Sequence, residues 1–489
     1  MALAACDSPT SAKPSPGIRV LSAAMKTDTI LAPEPDLVVE VREVSGRLVA
    51  GEPVTFRVSG AGSGYAAVIG SVGTDPYGLV MQTTTDAKGR ASVAARLGVK
   101  AGPGFIAVTA PALGMTDTVR FTVLPGAADQ VEALPWDTAV YVGRSYTPRT
   151  AVYDRFGNAR TDTVSLTAGT GAVSVASGSV TGQAVGRGFS IAKAGRVSDT
   201  VWTSVVPAAT LLAFEPRIAY ETGGGTQIVQ AARIIALGAD GSGYRVVVQD
   251  QAGVKGEPSQ PAWWPGSDAL AFVDDGGLKT ATLDGRVSLV LAGGDVPVRR
   301  DFPVQFSADG RWVYFTRGSS GNQLTSWRVH PDGSGAEQVS PARDWGMEMS
   351  PSPDPSGTRV AYATNRATNS TTEFTIRTVD LATGAVQALD IPGSFPRWSP
   401  QGDRIAFLDP VGQLRTVAPA GGATWLVGRG VGTLPSYGWS PDGAWLVVSG
   451  AVRLHTGYTQ PGLSLVNVAT GEVLPLVFSH SLRDPAWQR

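Results

Sequence analysis

The sequence predicts an all-β protein in which two β-sandwiches precede a six-bladed β-propeller. A motif of the type Trp-Ser-Pro-Asp-Gly, followed by a strand-like run, recurs every 41–48 residues in the second half of the chain. Short apolar runs separated by turn residues fill the first half. The 489 residues include 60 Gly and 34 Pro and show no long helical period. Together these observations favour strands throughout.

The repeat defines the propeller. Full copies occupy residues 263–272, 306–315, 353–362, 398–407 and 439–448, and a half copy lies at 485–487. A fixed period in this range is typical of a solenoid or a propeller. Pro, Asp and Gly suit a tight turn between two short apolar runs, and a second turn follows later in each unit. One unit therefore amounts to about four strands, which is one propeller blade.

The two ends of the repeat array are complementary. Residues 217–220 (Arg-Ile-Ala-Tyr) match the strand that follows the turn in later copies, but only Leu211, with no turn signature, stands nine residues earlier. Residues 484–489 form a first strand with nothing after it. We expect this C-terminal strand to complete the first blade and to close the propeller without a long exposed sheet edge. An open β-solenoid is the alternative.

This WD40-like repeat resembles the propeller of TolB, the periplasmic partner in the Tol–Pal envelope system, over about residues 214–489. The resemblance implies a TolB-like six-bladed fold in a protein of the cell envelope. It does not assign a function, since the same blades serve as binding modules and as gating domains of serine peptidases. The leading N-terminal domain of TolB is not visible in this sequence.

The first half contains two segments with strand-like alternation. In residues 28–125 we predict strands at 36–42, 52–58, 91–96, 105–109 and 117–123, and this spacing indicates a β-sandwich. Residues 49–56 and 85–93 resemble the bacterial immunoglobulin-like repeats of invasins and intimins. Residues 126–207 look like a divergent second copy, with 150–158 in the place of that family's Asp-x-x-Gly-Asn turn. The resemblance implies two immunoglobulin-like domains, with the propeller in residues 208–489.

The first residues indicate export. Leu3-Ala-Ala-Cys6 resembles a bacterial lipobox, in which the cysteine becomes lipidated, and Cys6 is the only cysteine of the chain. The Ser/Pro-rich segment that follows would be a flexible tether, so residues 1–27 are a lipobox remnant and a linker. Because too few residues precede Leu3 for a signal peptide, we expect translation to start upstream. A chance cysteine in a disordered tail is the alternative.

Sequence motifs for catalysis are missing. The 40 Lys and Arg residues balance the 41 Asp and Glu residues. The sequence therefore lacks the excess of positive charge that is typical of nucleic-acid-binding proteins. No serine has the glycine spacing of a nucleophile elbow. The histidines, His330, His455 and His480, lack metal-ligand spacing, and Gly223-Gly-Gly225 is not a phosphate loop. We therefore expect no enzyme activity, no cofactor and no metal.

Two other patterns allow a structural and a functional interpretation. The sequence Asp274-Asp-Gly-Gly277 could bind a cation through its carboxylates, but it stands where a hairpin turn is expected. Four tryptophans occupy the lead position of a repeat: Trp263, Trp398, Trp439 and Trp487. They could form a platform on which a ligand stacks, but their fixed place beside each turn favours packing within the blades.

Candidate binding residues lie in the loops that lead into each repeat, because these loops converge on one mouth of a propeller channel. The candidates are Arg299, Arg300, Asp301, Trp345, Glu348, Arg397 and Tyr437. Their mixture of cations, acids and aromatic rings suits an envelope protein or a cell-wall glycan as partner. We thus expect a monomeric, membrane-anchored lipoprotein, periplasmic or at the cell surface, that binds without catalysis. A propeller hydrolase or lyase acting on glycans, and a structural spacer or adhesin, are the alternatives.

The lipobox yields the first testable prediction. Protein expressed in a bacterial host from an upstream start is expected to carry a lipid on Cys6, because several acyl chains on one cysteine anchor a protein stably. Mass spectrometry of the mature N-terminus measures the modification, and a Cys6→Ala variant is the control. An unmodified Cys6, or a mature N-terminus well downstream of it, contradicts the prediction.

Overall fold

The fold is all-β, as predicted. The computed structural model describes residues 16–22, 27–30, 33–60, 67–70, 78–215, 218–222, 225–249, 256–293, 297–318, 323–341, 346–365, 373–428, 436–453, 457, 459–476 and 482–488. In these residues the only helix is a short 3-10 segment, Pro111–Leu113, and none is long and apolar enough to cross a membrane. Contacts divide the chain into two units: Met1–Ala133, Arg149–Ser165 and Ala192–Asp199 in one, and Leu134–Pro148, Leu166–Ile191 and Thr200–Arg489 in the other.

The beginning of the first unit is a two-layered β structure. Its strands are β1 (Gly17–Val20), β2 (Thr27–Thr29), β3 (Pro33–Arg42), β4 (Pro53–Gly60), β5 (Ala67–Gly70), β6 (Val80–Thr84), β7 (Arg90–Leu97), β8 (Gly102–Ala110) and β9 (Met115–Leu124). They form sheets of order β1-β3-β7-β5 and β2-β9-β8-β4-β6. Leu37 and Val39 of the first sheet and Phe56 of the second are fully buried in one shared core. Alternating inward residues thus join the two sheets, and the five predicted strands are confirmed.

The middle of the chain contributes ten shorter strands. They are β10 (Ala128–Leu134), β11 (Asp137–Tyr141), β12 (Ser145–Tyr146), β13 (Arg149–Asp154), β14 (Ala159–Arg160), β15 (Ser165–Ala168), β16 (Val173–Ala176), β17 (Ser179–Gly182), β18 (Gly186–Ala194) and β19 (Val197–Val206). The sheets have the orders β10-β13-β14, β11-β19-β18-β15 and β12-β17-β16. The predicted turn after residue 153 is present, since the Asp154 carboxylate accepts bonds from the amides of Phe156 and Asn158. The contact-based units divide this region, so the domain limits at 125 and 207 stay predictions.

The described residues of the second half form six four-stranded antiparallel sheets, besides one two-stranded hairpin. Sheet 1 consists of β20 (Thr210–Glu215), β23 (Arg233–Gly238), β24 (Arg245–Gln249) and β45 (Arg483–Trp487), and sheet 2 consists of β25 (Ser259–Trp263), β26 (Ala269–Asp274), β27 (Gly277–Thr282) and β28 (Val287–Ala292). Sheet 3 consists of β29 (Gln305–Phe306), β30 (Val313–Gly318), β31 (Leu324–Val329) and β32 (Glu337–Gln338), and sheet 4 consists of β33 (Glu348–Pro353), β34 (Arg359–Thr364), β35 (Thr375–Asp380) and β36 (Val386–Pro392). Sheet 5 consists of β37 (Ser394–Trp398), β38 (Ile405–Leu408), β39 (Leu414–Val417) and β40 (Thr424–Leu426), and sheet 6 consists of β41 (Tyr437–Trp439), β42 (Trp445–Arg453), β43 (Thr459–Asn467) and β44 (Val473–Leu476). Each of the five full copies therefore belongs to one sheet, and the half copy belongs to sheet 1.

In three copies the recurring turn is held by the side chain of the serine with which it begins. Ser399 Oγ accepts a hydrogen bond from the amide of Arg404 at 3.1 Å and donates to Asp403 at 2.7 Å. The serines at 307 and 440 likewise accept from the amide five residues on, at 3.0 and 2.9 Å. Gly402, with φ of 72°, adopts the left-handed conformation that glycine tolerates best. The motif is thus the chemistry of a hairpin between the first two strands of a sheet.

The predicted pairing of the C-terminal strand with residues 217–220 is wrong. The C-terminal strand β45 does lie in sheet 1, but it pairs with β20, where Leu211 faces Trp487. The predicted partner, residues 217–220, falls mostly in a separate hairpin of β21 (Ile218–Thr222) and β22 (Gly225–Gln230). The turn motif belongs to a hairpin between contiguous strands. Because β45 and β20 come from opposite ends of this half, their junction needs no such motif.

The first strands of the six sheets, here called lead strands, lie next to one another. They are β45, β25, β29, β33, β37 and β41. Contacts join β45 to β25, β25 to β29, β29 to β33, β33 to β37, and β41 to β45. Tyr437 Oη and Trp439 Nε1 of β41 donate to the carbonyls of Phe395 and Arg397 of β37, at 2.5 and 3.0 Å. A side chain at Gly438 would place its Cβ 3.0 Å from the Pro485 carbonyl oxygen, so β41 and β45 approach closely there.

The position of β45 yields the second prediction. Deleting residues 484–489 removes Trp487, which is 7% exposed, and we expect a loss of roughly 3–5 kcal/mol for its buried side chain. The deletion also uncovers the edge of β20, so aggregation should follow. Calorimetry and light scattering compare the two proteins. Trp425→Ala is the control, because this tryptophan is 52% exposed. An unchanged melting temperature and a monomeric truncated protein would contradict the assigned role of β45.

Candidate functional site

One cavity gathers residues from five of the six sheets. It has a volume of about 230 Å³ and is lined by Gln260, Asp301, Pro303, Phe395, Arg397, Ser436, Tyr437 and Asp484. These residues lie in, or directly before, lead strands β25, β29, β37, β41 and β45. We call it the mouth cavity. Three of the predicted binding residues, Asp301, Arg397 and Tyr437, are brought together here.

The mouth cavity lies at the ends of the lead strands opposite the recurring turns. The lead strands that line the cavity begin near it, and β25, β29, β37 and β41 each end at a turn such as the one at residues 440–443. That turn end is also where β11 reaches the sheets, since Tyr141 Oη donates to the carbonyl of Ala209 at 3.0 Å. The cavity is therefore on the side away from this junction.

The backbone of the lead strands directs side chains into the cavity. Gln260, Phe395 and Asp484 have φ of 55°, 53° and 48°, and Ser350 of β33 has 57°. Each of them precedes a proline, and the pairing register shifts at each position. A bulge re-aims a side chain, and a non-glycine residue in this region costs about 1–3 kcal/mol. Three of these four strained residues line the mouth cavity.

Asp484 and Arg397 set the electrostatics of the cavity. Burial raises the pKa of the Asp484 carboxyl, whereas the Ser436 hydroxyl and the positive charge of Arg397 act in the opposite direction. The amide of Asp484 donates to Ser436 Oγ at 2.9 Å. The Arg397 guanidinium lies 5.7 Å from the centre of the Tyr437 ring, and burial raises the pKa of that phenol. The cavity thus combines a cation, a strained acid and an aromatic face.

The other predicted site residues have different surroundings. Arg299 forms an ion pair with Asp301 at 3.0 Å, so it stands at the rim. Arg300 pairs instead with Asp275 of the β26–β27 turn, also at 3.0 Å. Glu348 is 2% exposed at the start of β33 and is not among the residues that line the mouth cavity. Trp345 lies outside the described residues, as do Cys6, His455 and His480.

Gln260 and Asp484 were missed as candidates from the sequence. Both stand directly before the proline that precedes a lead tryptophan, in Gln260-Pro-Ala-Trp263 and Asp484-Pro-Ala-Trp487. Phe395 occupies the same place in its copy, so an alignment of the copies extended by two residues contains the signal. The missing information was the bulge, which turns this position toward the cavity.

The structural interpretations of the two ambiguous patterns are confirmed. Asp274 pairs with Gly277 across a hairpin turn, and its carboxylate binds Lys279 Nζ at 2.6 Å with both side chains buried. The lead tryptophans, at positions 263, 398, 439 and 487, are only 2–7% exposed and pack in the cores of the sheets. In the part of the chain that the structure describes, no group of three or more His, Cys, Asp and Glu side chains is placed to hold a metal ion.

Comparison with curated proteins gives one partial match. No protein-family model matches the sequence. The uncharacterised protein Atu1656 of Agrobacterium fabrum is 34% identical over 122 residues, which is 22% of this chain. The chain spans 40% of the length of that relative.

Solved structures similar to this chain include TolB-like β-propeller proteins. TolB from Acinetobacter baumannii is 15% identical with a TM-score of 0.45, covering 66% of this chain and 82% of its own. A putative TolB from Agrobacterium tumefaciens is 16% identical with a TM-score of 0.42, covering 57% and 92%. An oligogalacturonate lyase from Vibrio parahaemolyticus is 10% identical with a TM-score of 0.35, covering 58% and 84%. TolB-like proteins are thus among the structural neighbours, as the repeat predicted.

Asp484, which is half-buried, yields the third prediction. At a pH above the ordinary pKa of an aspartate, the Asp484 carboxyl ionises freely in the unfolded chain. In the folded protein the same charge must be held in a cavity that water solvates poorly. Asp484 therefore reduces stability as the pH rises through its raised folded-state pKa. We expect Asp484→Asn to raise the melting temperature at pH 7, by about 2–4 °C for each kcal/mol relieved, and to leave it unchanged near pH 3.

Thermal unfolding between pH 3 and pH 8 checks this prediction. Asp301→Asn is the matched control, because that side chain lines the same cavity and is 61% exposed, so water already solvates its charge. Equal pH profiles for Asp484→Asn and the unmodified protein would refute the assigned effect of burial.

Proposed function

We propose that residues 208–489 form a six-bladed β-propeller closed by β45, and that its mouth binds a protein or glycan partner without catalysis. Hydrogen bonds between neighbouring lead strands support the ring. Ser352 Oγ of sheet 4 donates to Gln305 of sheet 3 and accepts from the amide of Trp398 of sheet 5, at 3.0 and 2.9 Å. Asp484 of sheet 1 is bonded to Ser436, at the start of sheet 6. Such contacts fix the blades relative to one another.

The observation that carries the binding function is the mouth cavity itself. Side chains from five sheets meet in it, and the proposed ring accounts for this meeting, because its lead strands would surround a common axis. Its volume of about 230 Å³ suits one amino-acid side chain or one sugar ring rather than a large cofactor. Arg397 and Asp301 supply charge, Gln260 supplies an amide, and Phe395 supplies an aromatic surface.

The rim extends this surface. Phe302 lies beside Phe395, with ring centres 6.2 Å apart, and the Arg299–Asp301 pair stands at 43% and 61% exposure. Aromatic residues and arginine are enriched where partners bind, and exposed charges around them affect association rates. A partner would thus insert one group into the cavity and cover the rim.

The remaining parts of the chain complete the proposal. The two β-rich segments before the propeller would be immunoglobulin-like spacers, and a lipid on Cys6 would hold the protein in a membrane of the cell envelope. The mouth cavity supports this arrangement, because it lies on the side away from the junction with β11. A structural spacer or adhesin without a ligand at the mouth remains the competing account.

The fourth prediction tests the mouth. Full-length protein is used to capture partners from envelope proteins and from cell-wall fragments, and Asp301→Lys should weaken capture at least tenfold, since it reverses a charge at the cavity. Asp284→Lys is the matched control: Asp284 is 59% exposed, is paired with Arg286 at 3.2 Å, and lies at the turn end of sheet 2. Equal capture by both variants would contradict binding at the mouth, and absence of any specific capture would favour the spacer.

The fifth prediction concerns catalysis. We expect no turnover of ester, peptide or glycan substrates by the full chain, and no loss of any background rate in Asp484→Asn. Chromatography of products from each substrate class measures this. A reproducible activity that Asp484→Asn or Asp301→Asn abolishes would establish the hydrolase or lyase alternative.

A further inference from the structure

The sheet that contains β9, β8, β4 and β6 has one exposed face. On its other side these strands bury residues such as Phe56, Ile106 and Phe121 in the core that they share with the neighbouring sheet. Because side chains alternate along a strand, the residues between these point away from that core. Those residues are exposed or half-buried. We call the surface that they form the outer face.

The strand register arranges the outer face in rows that cross the four strands. One row consists of Thr118, Ala107, Arg57 and Val80, and the next consists of Thr116, Thr109, Thr55 and Gln82. On the other side of the first row, Arg120 stands opposite Phe105, whose side chain is 39% exposed. Since Ala107 has only a methyl group, the surface is lower there than at the neighbouring phenylalanine ring.

The charge of the outer face is positive. Arg57 and Arg120 are exposed, and in the part of the chain that the structure describes neither guanidinium has an ion-pair partner. Asp117 is the one acid in these four strands, and it faces the other way, since it stands opposite the buried Val108. The neighbouring sheet differs, because its Arg42 is bonded to Glu40. The two free cations of the outer face thus lack a carboxylate beside them in these strands.

Hydroxyl groups surround the two cations. Thr116, Thr118 and Thr122 of β9 are exposed, and each hydroxyl can donate one hydrogen bond and accept others. In the row of Thr55, the side-chain amide of Gln82 donates to Thr55 Oγ1 at 3.1 Å, so these side chains are close enough to act together. Polar side chains therefore make up most of the outer face.

We propose that the outer face binds a linear polysaccharide that carries carboxylate groups. Arginine forms bidentate hydrogen bonds with carboxylates, the threonine hydroxyls suit the hydroxyls of a sugar, and the Phe105 ring suits its C–H groups. The spacing of strands and residues places the Cβ atoms of Arg57 and Arg120 about 12 Å apart. Successive carboxylates of a polymer can occupy both arginines, which one small anion cannot do. A lipid surface fits less well, because it favours a face rich in apolar side chains.

Binding of the full chain to alginate, a linear polymer of uronic acids, tests the outer face. We expect alginate to bind, neutral dextran not to bind, and added salt to weaken the complex. Replacing Arg57 and Arg120 together by threonine, which suits a strand, should lower the affinity for alginate about tenfold or more. The matched control replaces Arg47 and Arg286 by threonine, which removes the same charge from side chains that are 78% and 86% exposed outside this face.

Phe105→Ser is a second variant that should weaken alginate binding without any change of charge, and it keeps the test decisive if the double threonine variant fails to fold. Asp301→Asn, at the mouth cavity, should leave alginate binding unchanged, so the outer face is tested separately from the proposed function of the mouth. Absence of alginate binding, or equal affinity of the double variant and its matched control, would overturn the proposal. So would binding to vesicles of anionic lipid in place of alginate, or a loss of alginate binding in Asp301→Asn alone.

Discussion

The pairing between the last strand and the first sheet is the constraint on which the second half of the chain depends. β45 is bonded to β20, and it also contacts lead strands β41 and β25. The other five sheets are each built from contiguous strands, so sheet 1 is the one that joins the two ends of the array. This pairing closes a very long loop, whose entropy cost must be met before the strands can bond. Burial of Trp487 and of the edge of β20 offsets that cost.

The pairing of β45 with β20 also organises the chemistry at the mouth. Three of the four strained residues at the bulges of the lead strands line one cavity, and bonds such as Tyr437 Oη to the Phe395 carbonyl hold neighbouring lead strands side by side. Strain of this kind persists only where the surrounding structure enforces it. Asp484 shows the connection most directly, since one residue belongs to the closing strand and lines the cavity. Loss of the pairing between β45 and β20 should therefore also disrupt the mouth cavity.

Much of the architecture could be predicted from the sequence. The turn motif identified the hairpin between the first two strands of five sheets, because its serine, aspartate and glycine each have a local structural role. The sequence interpretation failed for residues 217–220, since a short β-branched run looks the same in a hairpin and in a blade. The mouth residues were predicted only in part. Asp301, Arg397 and Tyr437 stand just before a repeat motif, where the sequence predicted loops, although Arg397 and Tyr437 lie in strands β37 and β41. The bulges that redirect Gln260 and Asp484 depend on strand pairing, which the sequence does not show.

The most direct measurement of ring closure is hydrogen exchange of the native protein, followed by mass spectrometry. Chain termini normally exchange fast, unless they are tied into the structure. If β45 closes the ring, amides of residues 483–487 should be protected to the same degree as those of β20, and both should exchange only when the whole propeller opens. Exchange of the β45 amides within seconds, while β20 stays protected, would show that the C-terminal strand frays and that the ring is not closed by it.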